Sequence, residues 1–244
     1  MKDKQTLLYS LKFLLCAMLI TSVALALGSA VKGIWEMQSI NTSGGVASTP
    51  AKRVIVIDAG HGGEDAGAVA GDGTLEKDLN LEIASLIKAL CDLNGTRAVM
   101  TRSSDTLLYD YYNDLEDYTG HKKMYDLRNR VKITQEYENA IYLGIHMNKF
   151  SLEKYSGAQV YYSKNDTSSE ILARNIQNST KLYLQKNNKR QVKPATSSIY
   201  VLNSLHCPAV LVECGFLSNQ SELELLKDEE YRAKLALVIF STVI

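Results

Sequence analysis

Five short runs of β-branched and other apolar residues, spaced by segments with helical periodicity, constrain this chain more than any other feature. Val54-Ile55-Val56-Ile57, Ala98-Val99-Met100, Ala140 to Ile145, Gly157 to Tyr162 and Ala209 to Val212 read as strands, the first, third and last of them buried on both faces. Leu79, Ile83, Ile87 and Leu90 recur at helical spacing until Asn94-Gly95 stops the helix. Lys122 to Glu136 reads as a second helix. Thr167-x-x-Glu170 is a capping box that opens a third, running to about Gln185. The tail from Gln220 to Ile244 is helical, with Leu223, Leu226, Leu235 and Ile239 as core candidates. Strands alternating with helices predict an α/β fold: a single three-layer domain with a mainly parallel central sheet flanked by helices. In such sheets ligands bind at the carboxyl ends of the strands.

This alternation begins at Arg53. Before it, Phe13 to Val31 is an unbroken run of 19 uncharged residues, with Lys2, Lys4 and Lys12 on one side and Lys32 on the other. Residues 1–32 therefore read as one N-terminal apolar helix, a signal peptide or signal-anchor. The run is long for a cleaved signal, which favours an anchor over cleavage near Ala24-Leu25-Ala26. The positive excess before the run puts the N-terminus in the cytoplasm and the body outside, a membrane-anchored or secreted extracytoplasmic protein. Residues 33–52 read as a flexible tether, rich in Ser, Thr, Gly and Ala from 37 onward. Residues 53–244 are left as the domain that carries the chemistry.

Only one segment is long and apolar enough to span a membrane, which excludes a multi-pass protein. A chain that is 45% hydrophobic and 22% charged, with 3 Pro and 15 Gly, is neither collagen-like nor disordered. The formal net charge of zero hides an asymmetry: beyond residue 32 the chain holds 23 basic and 26 acidic residues. A weakly acidic body is poorly suited to gripping phosphate backbones, so no nucleic-acid partner is expected. Cys16, Cys91, Cys207 and Cys214 sit at no metal-ligand spacing and read as buried thiols.

Three predicted strands run into residues able to bind metal or move protons. The first leads into Asp58-Ala59-Gly60-His61-Gly62-Gly63, the third into His146-Met147-Asn148, and the last into Glu213-Cys214-Gly215-Phe216. Glu76 starts the first helix after the glycine-rich loop. A Gly-His-Gly-Gly break leaves an imidazole with little steric cover, so metal and substrate can approach it. Two His and one carboxylate are a usual catalytic zinc set, with the fourth position open to water. A further carboxylate can take a proton from that water. Two His and two Glu supply this inventory. Each has a plainer reading alone: His61 as a loop residue bonded to backbone, His146 as a satisfied core histidine, Glu76 as a complement to the helix dipole. Glu213 is harder to set aside, because a carboxylate ending a buried strand is costly unless paired or working. His121 and His206 end no strand and read as non-ligands.

The same residues carry a resemblance. Val54 through Ala68, with Asp58-Ala59-Gly60-His61-Gly62-Gly63-Glu64-Asp65 at its centre, resembles the first motif of the zinc-dependent N-acetylmuramoyl-L-alanine amidases of the Amidase_3 type. Glu76-Lys77 before the Leu79/Asn80 helix resembles the second motif, Gly144-Ile145-His146-Met147-Asn148 the third, and Val212-Glu213-Cys214-Gly215-Phe216-Leu217-Ser218-Asn219 the fourth. The resemblance implies His61, Glu76 and His146 as Zn²⁺ ligands, Glu213 as catalytic base, and peptidoglycan as substrate. It also covers Leu127-x-x-Arg130, without assigning a role. Ala59 and Gly144 depart from the usual Pro and Ser, beside the ligands. The single domain, the N-terminal anchor and Asn187 to Ala195 resemble the spore-cortex, germination-specific branch, in which stem peptides are removed ahead of muramic-δ-lactam formation. An activating protein partner is compatible with these motifs, because motifs do not record a pocket's resting geometry. A zinc peptidase or deacetylase acting on other bonds stays open, as does a membrane-tethered wall-binding module without activity. Residues 103–121 form a long polar loop, in which Tyr109, Tyr111, Tyr112 and Tyr118 either stack on sugar or fold onto the body.

Overall fold

In the computed structural model the described residues are 53–244. The expected anchor (1–32) and tether (33–52) lie outside them. Among the described residues no helix is long and apolar enough to cross a membrane. In chain order the elements are β1 (Val54–Ala59), α1 (Glu76–Leu93), β2 (Ala98–Met100), α2 (Lys122–Gln135), β3 (Ala140–Asn148), β4 (Gln159–Tyr162), α3 (Ser168–Tyr183), β5 (Lys193–Pro194), α4 (Tyr200–Ser204), β6 (Ala209–Phe216), α5 (Gln220–Lys227) and α6 (Glu229–Val243). They form one six-stranded sheet in the order β2-β1-β3-β6-β4-β5. The first four strands in that order run parallel, and β4 pairs antiparallel to β6. The fold is thus the mainly parallel α/β sheet that the alternation predicts.

The period of two along each strand sorts side chains onto two faces. Ile55, Ile57, Leu143, Ile145, Val210 and Val212 meet Leu79, Ile83, Ile87, Leu235 and Ile239, so α1 and α6 cover one face, with α3 beside α6. Tyr142, Ala209 and Leu211 meet Val131, Val201, Leu202 and Leu205, so α2 and α4 cover the other. Asp58, His146 and Glu213 share the parity of this second face. The register Ala59↔Ile145 and His146↔Glu213 draws the ends of β1, β3 and β6 together.

Some local expectations change. The tail is two helices: Asn219 accepts from the Glu222 amide (3.1 Å) and Asp228 from the Tyr231 amide (2.7 Å), so Asp228 breaks the run and caps α6. Leu223, Leu226, Leu235 and Ile239 are all buried, as expected. Thr167 makes no cap hydrogen bond and Glu170 pairs instead with Arg174; Asp166 caps α3 by accepting from the Ser168 amide at 2.7 Å. Helix α1 does end at Asn94-Gly95: Gly95 has φ +70°, and the Thr96 amide reaches back to the Cys91 carbonyl (2.9 Å). Cys91 and Cys214 are buried thiols, Cys207 is half-buried, and Cys16 lies outside the described residues.

Candidate metal centre

Strand β1 stops where the chain needs backbone that few side chains adopt. His61 has φ +62° and Gly62 φ +141°. For a residue with a Cβ the left-handed region costs about 1 kcal/mol, so the surroundings must hold it there. They do so at both ends of His61. The Arg130 Nη2 donates to its carbonyl (2.8 Å), and its ring Nδ1 lies 2.9 Å from Asp65 Oδ2. Gly62 and Asp65 exchange amide–carbonyl bonds of 3.0 Å, closing the turn that carries Asp65 under the ring. A proton on Nδ1, donated to Asp65, leaves the Nε2 lone pair facing inward.

Glu76 opens α1 and points its carboxylate the same way. Its Oε2 accepts from the Ala68 amide (2.7 Å), and its Oε1 from the Met147 amide (3.0 Å) and Asn80 Nδ2 (3.3 Å). That oxygen also lies 3.3 Å from His61 Nε2 and 3.1 Å from His146 Nδ1. The two imidazoles meet edge to face with centroids 5.1 Å apart. One ligand atom from each of His61, Glu76 and His146 lies within 4.8 Å of the others. Donors around a tetrahedral ion at zinc–nitrogen and zinc–oxygen distances sit about 3.3 Å apart, close to the two shorter separations. Two glycines leave this space open. A Cβ on Gly60 would fall 2.2 Å from the His146 ring, and one on Gly67 2.6 Å from Glu76 Oε2.

Charge is arranged to match. Burial opposes ionisation of Glu76, but hydrogen bonds from His146 and His61 hold its carboxyl far below the usual range. Burial likewise works against a charged His61, yet its bonds to Asp65 and Glu76 push it up to about 9. Its hydrogen bond to His61 keeps Asp65 well below an ordinary carboxyl. Two carboxylates pulling a proton onto an imidazole would pull equally on a cation that displaces it. Glu213, beside His146 in register, is the exception: burial pushes it up to about 7. Its Oε2 is buried without a hydrogen-bond partner among the described residues. A buried carboxylate oxygen left unpaired beside a donor set is what a site awaiting a metal and its water contains, so these residues fit a zinc-like ion.

The four residues singled out in the sequence thus come together, three as one donor group and Glu213 on the neighbouring strand. His121 precedes α2 and His206 lies between α4 and β6; neither belongs to the donor group. The roles of two arginines and an aspartate escaped the sequence reading. Arg130 is buried, pairs with Asp58 and Asp126, and also donates to the carbonyl of Ala59 (2.9 Å). Arg102 donates to the carbonyls of Ala59 (2.8 Å), Gly60 (3.0 Å) and Lys77 (2.8 Å). Together they clamp the strand end that presents His61. Asp58 also accepts from the hydroxyls of Thr101 and Tyr142. Leu127-x-x-Arg130 was the only sign of this framework. A cleft of about 180 Å³ opens over it, lined by His61, His146, Lys123 and Tyr200 among others. Of the loop tyrosines, Tyr118 is buried and stacks edge-on against Tyr109 and Tyr125, Tyr112 donates to Glu136, and Tyr111 is exposed. Three of the four therefore fold onto the body.

Residues 55–244 match the Amidase_3 family, described as N-acetylmuramoyl-L-alanine amidase. The chain is 36% identical, over 86% of its length and 83% of the relative's, to the germination-specific N-acetylmuramoyl-L-alanine amidase of Bacillus subtilis. Among solved structures it is similar to the CwlD amidase of Clostridioides difficile in complex with the GerS lipoprotein. There the identity is 39% and the TM-score 0.72, over 79% of this chain and 96% of that one. It is also similar to the amidase AmiC2 of Nostoc punctiforme, with 28% identity and a TM-score of 0.64 over 78% of this chain and 94% of that one.

Proposed function

Since the chain belongs to the Amidase_3 family of N-acetylmuramoyl-L-alanine amidases, we propose that it hydrolyses the amide joining N-acetylmuramic acid to L-alanine in peptidoglycan, with zinc held by His61, Glu76 and His146 and with Glu213 as general base. The observation that carries this reading is the convergence of a His-Glu-His donor group with a buried, unpartnered carboxylate oxygen on the adjacent strand. A zinc ion so held supplies Lewis acidity, polarising the lactyl carbonyl and acidifying water.

The rest is done by the chain. Glu213 takes the proton of the attacking water on its unpartnered Oε2 and returns it to the departing L-alanine amine, so one carboxylate serves both halves of the reaction. Asp65 holds His61 in the tautomer that offers Nε2. Arg130 and Arg102 keep the His61 loop from relaxing out of its left-handed turn. Asn80 and the amides of Ala68 and Met147 fix the Glu76 carboxylate, so no reorganisation is needed when charge develops.

The germination-specific relative extends the proposal to the spore cortex, where the cut would precede muramic-lactam formation. The lipoprotein complex of the similar C. difficile amidase supports a protein partner that completes or activates this centre. The lysine-flanked apolar run at Phe13 to Val31 would hold the domain at the outer face of a membrane. The test is digestion of peptidoglycan by the zinc-loaded full chain, read by mass spectrometry. Peptide-free glycan together with stem peptides bearing a new L-alanine amino terminus is the expected product. Glu213→Gln should keep stoichiometric zinc and lose turnover by at least about a hundredfold. Cleavage within the stem peptide, or loss of acetyl groups alone, would overturn the assignment of the bond.

A further inference from the structure

Beyond the centre, the same edge of the sheet carries a second feature. Because β4 runs antiparallel to β6, its amino end lies beside the carboxyl end of β6, and Gln159 faces Glu213 in register. Gln159 in turn accepts from Arg190 Nη1 at 3.2 Å. Arg190 is not a loose surface cation: its Nε donates to the Ser156 carbonyl (2.7 Å) and its guanidinium stacks 4.3 Å over the Phe216 ring. It stands in the wall of a groove of about 550 Å³, with Lys154, Lys186 and Lys189 around it and Tyr155 beside it.

None of these four cations is within ion-pair distance of a carboxylate among the described residues, whereas many of the other basic residues are so paired. The carboxylate in the groove wall, Glu222, is committed elsewhere. Its oxygens accept from the amides of Gly157 (2.7 Å) and Phe216 (2.8 Å), and burial raises its pKa. Four cations without an ion-pair partner, set against the single carboxylate of Glu222 in one concavity, with Arg190 locked on an aromatic ring, leave a net positive potential that an anion relieves. Gln159 sits one strand spacing from Glu213 and its side chain reaches Arg190, which puts the guanidinium on the order of 10 Å from Glu213. A peptide extends about 3.5 Å per residue, so this is the reach of the first few residues beyond a bond cut at the centre.

We propose that this groove is an anion subsite for the stem peptide, in which Arg190 takes the free α-carboxylate of the D-glutamate that follows L-alanine. The inference rests on the amidase reading, because that reading supplies a peptide with acidic groups at this distance. In the intact substrate the lactyl carboxyl of muramic acid is tied up in the amide, so the anions near the bond are those of the peptide. Arg190 is thus a substrate-binding residue and Lys154, Lys186 and Lys189 add long-range attraction.

The experiment compares two ligands on one protein. Binding of the stem tripeptide L-Ala-γ-D-Glu-diaminopimelate, and of the same peptide with its D-glutamate α-carboxylate amidated, is measured by calorimetry on the full chain in mild detergent. The free-carboxylate form should bind about tenfold more tightly, the loss expected for one charge-assisted hydrogen bond. Arg190→Gln should bring the ratio near one, and Arg190→Lys should restore part of it. Equal affinity of the unmodified chain for the two peptides would overturn the subsite. So would a preference that survives Arg190→Gln, or binding of neither peptide. The comparison on the unmodified chain does not depend on how well any variant folds. Cleavage of an intact muropeptide by the same preparation reports the amidase reading separately. Cleavage without a peptide preference sinks the subsite alone, and preference with cleavage only at another bond sinks the amidase reading alone.

Discussion

Asp58 is where buried charge converges behind the centre. It is 1% exposed and accepts from Arg130, Thr101 and Tyr142 at once. Burial alone would raise its pKa, but the Arg130 guanidinium and the two hydroxyls outweigh that and hold it below the usual carboxylate range. The sign follows. A depressed folded pKa adds stability that is complete above the unfolded value, near 4, and is lost as pH falls through the folded value. Asp58→Asn leaves Arg130 with one carboxylate instead of two and should cost about 3 kcal/mol in denaturant unfolding at neutral pH. The variant should also lose less stability than the unmodified chain on going below pH 4; an unchanged acid profile would mean that Asp58 is not the group that titrates. Asp65→Asn acts differently, because the Asp65 carboxylate acts on the donor group through His61 Nδ1. It should weaken zinc about 10- to 100-fold in chelator competition while leaving unfolding almost unchanged. At this scale the sequence was legible where a residue type marks a strand end, as with His61, His146 and Glu213. Arg102 was not, and Arg130 only as a position without a role, because what fixes the His61 loop is their bonds to backbone carbonyls, and a carbonyl leaves no mark in a sequence.

Elements were legible to the extent that burial stamps a period on them. β1, β3 and β6 carry unbroken apolar runs because both their faces are covered, and α1 shows its buried stripe at Leu79, Ile83 and Ile87. β5 is two exposed residues and α4 a single turn and a half, too short for any period to register. That β4 runs against β6 was invisible too, since four residues read alike in either direction. The start of α3 tests which local signal governs. The S/T-x-x-E pattern points to Thr167, but Thr167 is exposed, already in helical backbone and without a cap bond, while Asp166 takes the Ser168 amide. Asp166→Ala should therefore cost about 1 kcal/mol and Thr167→Ala only a few tenths. Thermal unfolding of the two variants decides it, and the opposite ranking would restore the capping box.

At the scale of the whole molecule, the donor group draws on segments far apart in the chain: the loop after β1, the first turn of α1, and the end of β3, with Glu213 on β6 behind them. Nothing in a linear motif says that these ends arrive together. The parallel order β1-β3-β6 and its register do that, and it is why the alternation of strands and helices carried more of the functional prediction than composition did. It also makes a metal a cross-link between elements that folding alone must otherwise hold in register. The unfolded chain would scatter these donors, so zinc bound by the folded chain would be linked to its stability. With free zinc at a hundred times its Kd the gain is about 2.7 kcal/mol. For a domain of this size that corresponds to a rise in Tm of about 5 to 10 °C. Excess chelator should reverse the rise, and His61→Ala should abolish it while leaving the zinc-free Tm within a few degrees. A chain whose Tm ignores saturating zinc would mean that its donors do not close on an ion unaided. The centre would then belong to the chain together with a partner that brings His61, Glu76 and His146 into reach, and the same measurement repeated on that complex would show the missing rise.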